Sequence, residues 1–158
     1  ARGQEPAVSD QALKAVLFYK LPLFVYQAGS DKQAQIGICT LGDAPLGNAV
    51  EKLPLTLADG RRVEFRAIQG AGDVGECEFV FIGRSENGRL DSLLRRFHGR
   101  RLVTVSDIEG FALAGGMVEL SLRSDSPHIQ ILINRKAAQK QGIEFNAQLL
   151  RLARIVEP

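Results

Sequence analysis

The sequence contains few of the residue types and patterns that metal-binding, nucleic-acid-binding and membrane-spanning proteins need. Its 158 residues include no tryptophan, one methionine, two histidines and two cysteines, and neither pair lies at metal-ligand spacing. The 20 basic and 18 acidic residues nearly balance, whereas nucleic-acid binding requires a concentrated basic face. No apolar run reaches the roughly 18 residues that cross a bilayer. We therefore expect no metal site, no nucleic-acid partner and no membrane-spanning segment.

The overall composition is that of a globular domain. Apolar residues make up 45% of the chain and charged residues 24%, and this length suits a single domain over residues 1–158. The first residues are polar and include neither an initiator methionine nor an apolar signal core. Residues 1–8 are therefore expected to be the flexible end of a mature chain or of a cloned fragment.

Apolar patterns predict alternating strands and helices. Short apolar runs at 36–41, 78–82 and 102–105 predict strands buried on both faces, and 63–68 alternates as a further strand. The runs 118–122 and 129–133 predict an antiparallel hairpin. Helices are predicted over 9–25, 45–53, 87–98 and 147–156, with another starting after Asn134 and ending at Gly142. We predict a three-layer α/β fold with a mostly parallel sheet and the hairpin at one edge.

Polar side chains follow three of the predicted parallel strands, at their carboxyl ends, where ligands bind in open α/β sheets. They are Asp43, Ser85, Glu86, Ser106 and Asp107. One interpretation is that they rim a small ligand cleft. The other, which helix-cap and turn preferences favour, is that Asp43 and Ser85 cap helices and Asp107 caps a turn.

Catalysis is not indicated. A nucleophilic Ser85 or Ser106 would need a nearby base, and the sequence offers only His98 and His128, with no assignable partner for either. The glycine clusters at 70–72 and 114–116 match neither nucleotide-binding motif. We therefore predict no catalytic residue and no cofactor.

Two features could present a surface to a partner. The loop 108–117 carries Phe111, Leu113 and Met117, which either fill the core or form an exposed apolar patch. One face of the predicted hairpin carries apolar residues only, and its other face is mixed. That mixed face, which suits either a partner surface or a covering helix, holds Met117, Glu119, Ser121, Gln130 and Leu132. A separate basic cluster, Arg95, Arg96, Arg100 and Arg101, is expected to be the solvated end of a helix.

Six motifs of the sequence, which occur in the same order as in the YfiR family, resemble that family. Its members are periplasmic regulators named for the repressor of a membrane-bound diguanylate cyclase. The six motifs read CTLGDAPLG (39–47), GRRVEFRAI (60–68), CEFVFIGRSE (77–86), LVTVSDIEGFALAGGMVEL (102–120), IQILIN (129–134) and QLLRLARIV (148–156). The segment 102–134 is the most specific of them. Together the motifs cover most of residues 12–156.

The resemblance implies a function. It implies export to the periplasm, dimerisation, absence of catalysis, and repression of an inner-membrane diguanylate cyclase by contact with its periplasmic domain, which would control cyclic-di-GMP and biofilm formation. The residues expected to form the contact are Phe111, Leu113, Met117, Glu119, Gln130 and Leu132. The alternative is a periplasmic small-ligand sensor or carrier that uses the strand-end cleft.

The resemblance also bears on the two cysteines. From the residues alone, Cys39 and Cys77 are as compatible with two buried thiols as with one disulfide. Export to the periplasm would place them in an oxidising compartment, and they belong to strands expected to be neighbours. On that basis we predict a disulfide between Cys39 and Cys77.

Overall fold

The computed structural model describes residues 5–27, 34–122 and 128–158. The strands are β1 (Val25–Gln27), β2 (Gln35–Leu41), β3 (Arg62–Ile68), β4 (Phe79–Ile82), β5 (Val103–Ser106), β6 (Val118–Leu122), β7 (Ile129–Ile133), β8 (Ile143–Phe145) and β9 (Arg154–Ile155). The helices are α1 (Glu5–Lys20), α2 (Leu46–Val50), α3 (Leu90–Phe97), α4 (Arg135–Gln139) and α5 (Ala147–Leu152). Short 3-10 helices cover Leu21–Phe24, Ala71–Asp73 and Arg84–Arg89. Residues 1–4 of the predicted flexible terminus, and most of the predicted loop 27–33 and hairpin loop 123–128, lie outside the described residues.

Seven of the described strands form one sheet in the order β3-β2-β4-β5-β6-β7-β9. The strands from β3 to β6 are mutually parallel, and β7 runs antiparallel to β6 with Val118 opposite Ile133. The two-residue strand β9 adds to the outer side of β7. The predicted α/β fold, with a mostly parallel sheet and a hairpin towards one edge, is confirmed.

Alternating residues of the central strands enter two separate cores, which makes the fold three-layered. Phe79 and Phe81 of β4 face a core shared with α1 and α2, where the rings of Phe18 and Phe81 pack edge to face, 5.6 Å apart. Val80 and Ile82 face the opposite core, which α3 covers. Central parallel strands are apolar throughout because helices cover both of their faces.

No helix links β5 to β6; the crossover is the irregular segment 107–117, here called the crossover loop. It crosses the α3 side of the sheet and inserts the ring of Phe111, which is fully buried, into the core beneath α3. Gly116 makes this possible, because a Cβ at that position would collide with the Phe111 ring. The crossover loop thus connects β5 to β6 and covers one face of the sheet, as a crossover helix usually does between parallel strands.

Several predicted elements are wrong in detail. The predicted final helix over 147–156 is α5 followed by β9, because the backbone extends at Ala153 and pairs with β7. Helix α1 begins at Glu5, four residues before the predicted start at 9, and ends at Lys20. Strands β1 and β8 form an additional antiparallel pair that was not predicted.

Of the predicted helix caps, Asn134 is confirmed, whereas Asp43 and Ser85 are wrong. Asn134 caps α4, as predicted, by accepting a hydrogen bond from the Ala137 amide at 3.1 Å. Asp43 and Ser85 are not caps. Helix α2 starts at Leu46, and its N-cap residue is Pro45, which makes no side-chain cap. Ser85 lies inside the 3-10 helix that follows Gly83. Asn146 caps α5 by accepting from the Leu149 amide at 2.9 Å.

The structure joins Cys39 and Cys77 in a disulfide, with the two Cα atoms 6.0 Å apart. This separation is in the usual range for the bond. The disulfide fixes the loop that precedes β4 to the centre of β2. The predicted pairing is confirmed.

Replacing both Cys39 and Cys77 by alanine is expected to lower the free energy of unfolding by about 2–4 kcal/mol. The bond closes a loop of 38 residues, so its loss enlarges the unfolded ensemble. Urea denaturation of the double variant and of the oxidised wild type measures the difference. Dithiothreitol should destabilise the wild type towards the variant and leave the variant unchanged; equal midpoints throughout would contradict this.

Candidate functional site

The strand-end residues do come together, at the carboxyl edge of β2, β4 and β5. The Asp43 amide donates to Ser85 Oγ at 2.9 Å, and Ser85 Oγ donates to Glu86 Oε2 at 3.3 Å. Arg89 forms an ion pair with Glu86. Between β2 and β4, Gly83 contacts the Asp43 backbone so closely that an added Cβ would collide with it. These polar groups therefore bind one another, and they do not line an open cleft at this edge of the sheet.

Asp107 forms a buried ion pair that sequence reasoning missed. Its Oδ2 accepts from Lys14 Nζ of α1 at 3.0 Å, and its Oδ1 lies 3.5 Å from Nε of Arg84. The side chain of Lys14 is only 3% exposed and that of Arg84 is 72% exposed. A sequence signal existed: Lys14 shares the helical spacing of Leu17, Phe18 and Leu21. The pair joins α1 to the sheet; it is not a turn cap.

Ser106 and His98 form hydrogen bonds with other groups and not with each other. Ser106 is fully buried, and its Oγ donates to the Ile82 carbonyl at 2.7 Å and accepts from the Ile108 amide at 3.0 Å. His98, at the C-terminal end of α3, contacts Gln141 Nε2 at 3.2 Å through Nδ1. Across the described ranges every buried side-chain nitrogen and oxygen has a hydrogen-bond partner. These contacts therefore give no support to Ser106 as a catalytic nucleophile.

One carboxyl group outside this edge has a shifted pKa. Burial raises the pKa of Glu78 above its usual value, and the Gly37 amide and Arg61 act in the opposite direction. Glu78 immediately precedes β4 and so lies at the amino end of the strands, opposite the cleft proposed from sequence. It therefore cannot serve Ser85 or Ser106 as a base.

Half of the predicted partner-binding residues are inaccessible. Phe111, Met117 and Glu119 are buried, so the expectation that they present an exposed face is wrong. The carboxylate of Glu119 accepts from the amides of Gly110 at 3.2 Å and Ala112 at 3.0 Å, and so holds the crossover loop over the hairpin. Glu119 is therefore a structural anchor of that loop.

The remaining predicted residues are accessible. Leu113, next to Ala112 on the crossover loop, is 61% exposed. Gln130 and Leu132 on β7 are partly exposed. Leu132 lies opposite Glu119 in the sheet register, so it is on the face that the crossover loop covers. We call Leu113, Gln130 and Leu132 the partner surface.

A cavity of about 720 Å³ lies elsewhere, between α3, α4 and the crossover loop. We call it the α3–α4 groove. Apolar side chains, among them Leu94, Leu113 and Met117, line its interior, and Arg95, Lys136 and Lys140 also line it. Of the predicted strand-end residues none lines this groove. Sequence reasoning missed it because its walls come from three separate segments.

The described ranges hold neither a metal-ligand cluster nor a helix that could cross a membrane. No three His, Cys, Asp or Glu side chains there are grouped as metal ligands. No helix in those ranges combines the length and apolar character that crossing a membrane requires.

Comparison with known proteins identifies the family. The profile of the YfiR/HmsC-like family matches residues 11–154, nearly the whole chain. The chain belongs to the YfiR/HmsC-like family. The resemblance read from the six motifs is therefore confirmed. Membership supports the regulatory class that the resemblance implied for this chain.

Solved structures support the α/β fold of this YfiR/HmsC-like chain. An ABC domain in complex with L-Trp from Streptococcus pneumonia is 13% identical, with a TM-score of 0.61 over 92% of this chain and 60% of that chain. A conserved domain protein from Vibrio cholerae is 12% identical, with a TM-score of 0.61 over 93% of this chain and 60% of that one. The chain thus spans about 60% of the length of each, and such identities show the fold alone. No curated protein matches the sequence.

Proposed function

We propose that this protein represses a membrane-anchored diguanylate cyclase by binding the cyclase's periplasmic domain, without catalysis of its own. The observation that carries the proposal is the YfiR/HmsC-like match over residues 11–154. Repression would lower cyclic-di-GMP and restrain biofilm formation. The disulfide between Cys39 and Cys77 supports export, because such bonds persist in oxidising compartments.

The partner surface is the proposed contact. Interface cores favour apolar anchors, and a few residues carry most of the binding energy. Leu113 fits this role because it is 61% exposed and its backbone is fixed from both sides. Ala112 before it binds Glu119 and Asn134 through its amide and carbonyl, and the Ala114 amide donates to the Gly110 carbonyl. A rigid exposed leucine loses little conformational freedom on binding.

Leu113→Asp is expected to weaken cyclase binding about tenfold or more, because it places a charge in an apolar contact. Cells that carry this variant should show raised cyclic-di-GMP, measured by mass spectrometry. Leu55→Asp is the matched control, because Leu55 is 65% exposed and lies between α2 and β3. If the folded Leu113→Asp protein represses as well as wild type, the partner surface is wrong; if deleting the protein leaves cyclic-di-GMP unchanged, the function is wrong.

A homodimer is part of the proposal, and its support is the family resemblance. The mass of the purified protein by light scattering should correspond to two chains. A mass of one chain at micromolar concentration would exclude a stable dimer.

The alternative function, a small-ligand sensor or carrier that uses the strand-end cleft, has weaker support. Asp43, Ser85 and Glu86 bind one another, and Asp107 binds Lys14 and Arg84. A ligand at this edge would have to replace these contacts.

A further inference from the structure

The α3–α4 groove combines an apolar interior with three cationic side chains that form no ion pair among the described residues. Within the described residues, no salt bridge or side-chain hydrogen bond engages Arg95, Lys136 or Lys140. Asp91 is the carboxylate side chain that lines the groove together with these three cations, and Pro158, the last residue of the sequence, lines it as well. A set of cations without partners beside an apolar cavity is complementary to a molecule with one anionic end and an apolar body.

The groove is also pre-formed, because hydrogen bonds fix its walls. Thr104 Oγ1 accepts from the Met117 amide at 3.1 Å, and Asn134 Nδ2 donates to the Ala112 carbonyl at 2.9 Å. Gln141, which follows α4, accepts from the Gly99 amide at 2.8 Å and contacts His98 at 3.2 Å, so it joins the ends of α3 and α4. The polar groups of Thr104 and Asn134 are thereby engaged within the protein, and the floor they share with Met117 offers a ligand mainly apolar contacts.

We propose that the α3–α4 groove binds a small, free organic anion with an apolar body, of the class of medium-chain or aromatic carboxylates and sulfonates. The apolar body lies on Leu94, Leu113 and Met117, and the anionic group lies near Lys136 and Lys140. The volume of about 720 Å³ is within the usual range of roughly 300–1,000 Å³ for small-molecule sites. Two lysines attract the anion without fixing its geometry, since an ammonium acts as a point charge.

The test is a fluorescence titration of the purified full chain with anilinonaphthalene sulfonate, which has an aromatic body and one sulfonate. We expect saturable binding that decanoate displaces and decanol, at the same concentration, displaces poorly. The double variant Lys136→Glu/Lys140→Glu should bind the probe at least about tenfold more weakly, because each change replaces attraction with repulsion. Its matched control is Lys20→Glu/Lys52→Glu, which changes two exposed lysines outside the groove and should bind like wild type.

Three results would overturn the proposal. Probe binding that does not saturate, or that falls equally in both double variants, would show that the groove is not the site. Equal displacement by decanol and decanoate would show that the anionic group is not recognised. Cosedimentation of the protein with phosphatidylglycerol vesicles, lost in Lys136→Glu/Lys140→Glu only, would assign the cations to a lipid surface instead. Leu113 belongs to both the groove and the partner surface, but Lys136 and Lys140 belong to the groove alone. The lysine variant therefore tests this inference without altering the proposed cyclase contact.

Discussion

Phe111→Ala is expected to lower the free energy of unfolding by about 3–5 kcal/mol, the range for truncating a buried aromatic residue. The Phe111 ring is fully buried and packs in the core beneath α3. Its removal leaves a cavity under the crossover loop. In a domain of this size, the expected loss corresponds to a fall of about 10 °C in Tm. Thermal denaturation followed by circular dichroism measures it.

Leu113→Ala is the control for Phe111→Ala, because the two residues lie on the same loop and differ in burial. Leu113 is 61% exposed, and its truncation should change the free energy of unfolding by no more than about 0.5 kcal/mol. If Phe111→Ala kept the wild-type Tm and lost only cyclase binding, Phe111 would belong to the partner surface after all.

Asp107→Ala is expected to cost about 3–5 kcal/mol of stability, because it leaves the ammonium of Lys14 buried without a counter-charge. Lys14 is 3% exposed and donates to Asp107 at 3.0 Å. The loss should loosen α1 from the carboxyl edge of the sheet. Urea denaturation measures the change, and hydrogen exchange in α1 locates it.

Two further variants test that explanation. Arg84→Ala removes the other partner of Asp107, but Arg84 is 72% exposed and its loss should cost at most about 1 kcal/mol. Adding Lys14→Met to Asp107→Ala should recover much of the lost stability, because it removes the uncompensated buried charge. Equal costs for Asp107→Ala and Arg84→Ala, or no recovery in the double variant, would contradict the buried-pair account.

The sequence predicted the sheet well where burial alone decides the structure. The strand Phe79–Ile82 is apolar on both faces because β4 lies inside the sheet, between two helical layers. Cys39 and Cys77 are bonded because β2 and β4 are neighbours. Both outcomes depend on strand order, which strand–helix alternation constrains.

Prediction failed where distant segments decide the environment of a residue. Period-two alternation placed Glu119 on an open hairpin face, but the crossover loop covers that face and satisfies the carboxylate with two backbone amides. Asp43 and Ser85 suited helix caps locally, yet the carboxyl edge of the sheet brings them together instead. Residues 154–155 continued a helical pattern but pair with β7 at the sheet edge. No local pattern carries that information.

The central claim is that the protein binds and represses a membrane-anchored diguanylate cyclase. The most direct measurement is cyclase activity recovered from detergent-solubilised membranes of the source organism on immobilised protein. We predict that wild-type protein and Leu55→Asp retain an enzyme that makes cyclic-di-GMP from GTP once eluted, and that Leu113→Asp retains far less of it. Retention of no diguanylate cyclase activity by folded wild-type protein would contradict the account.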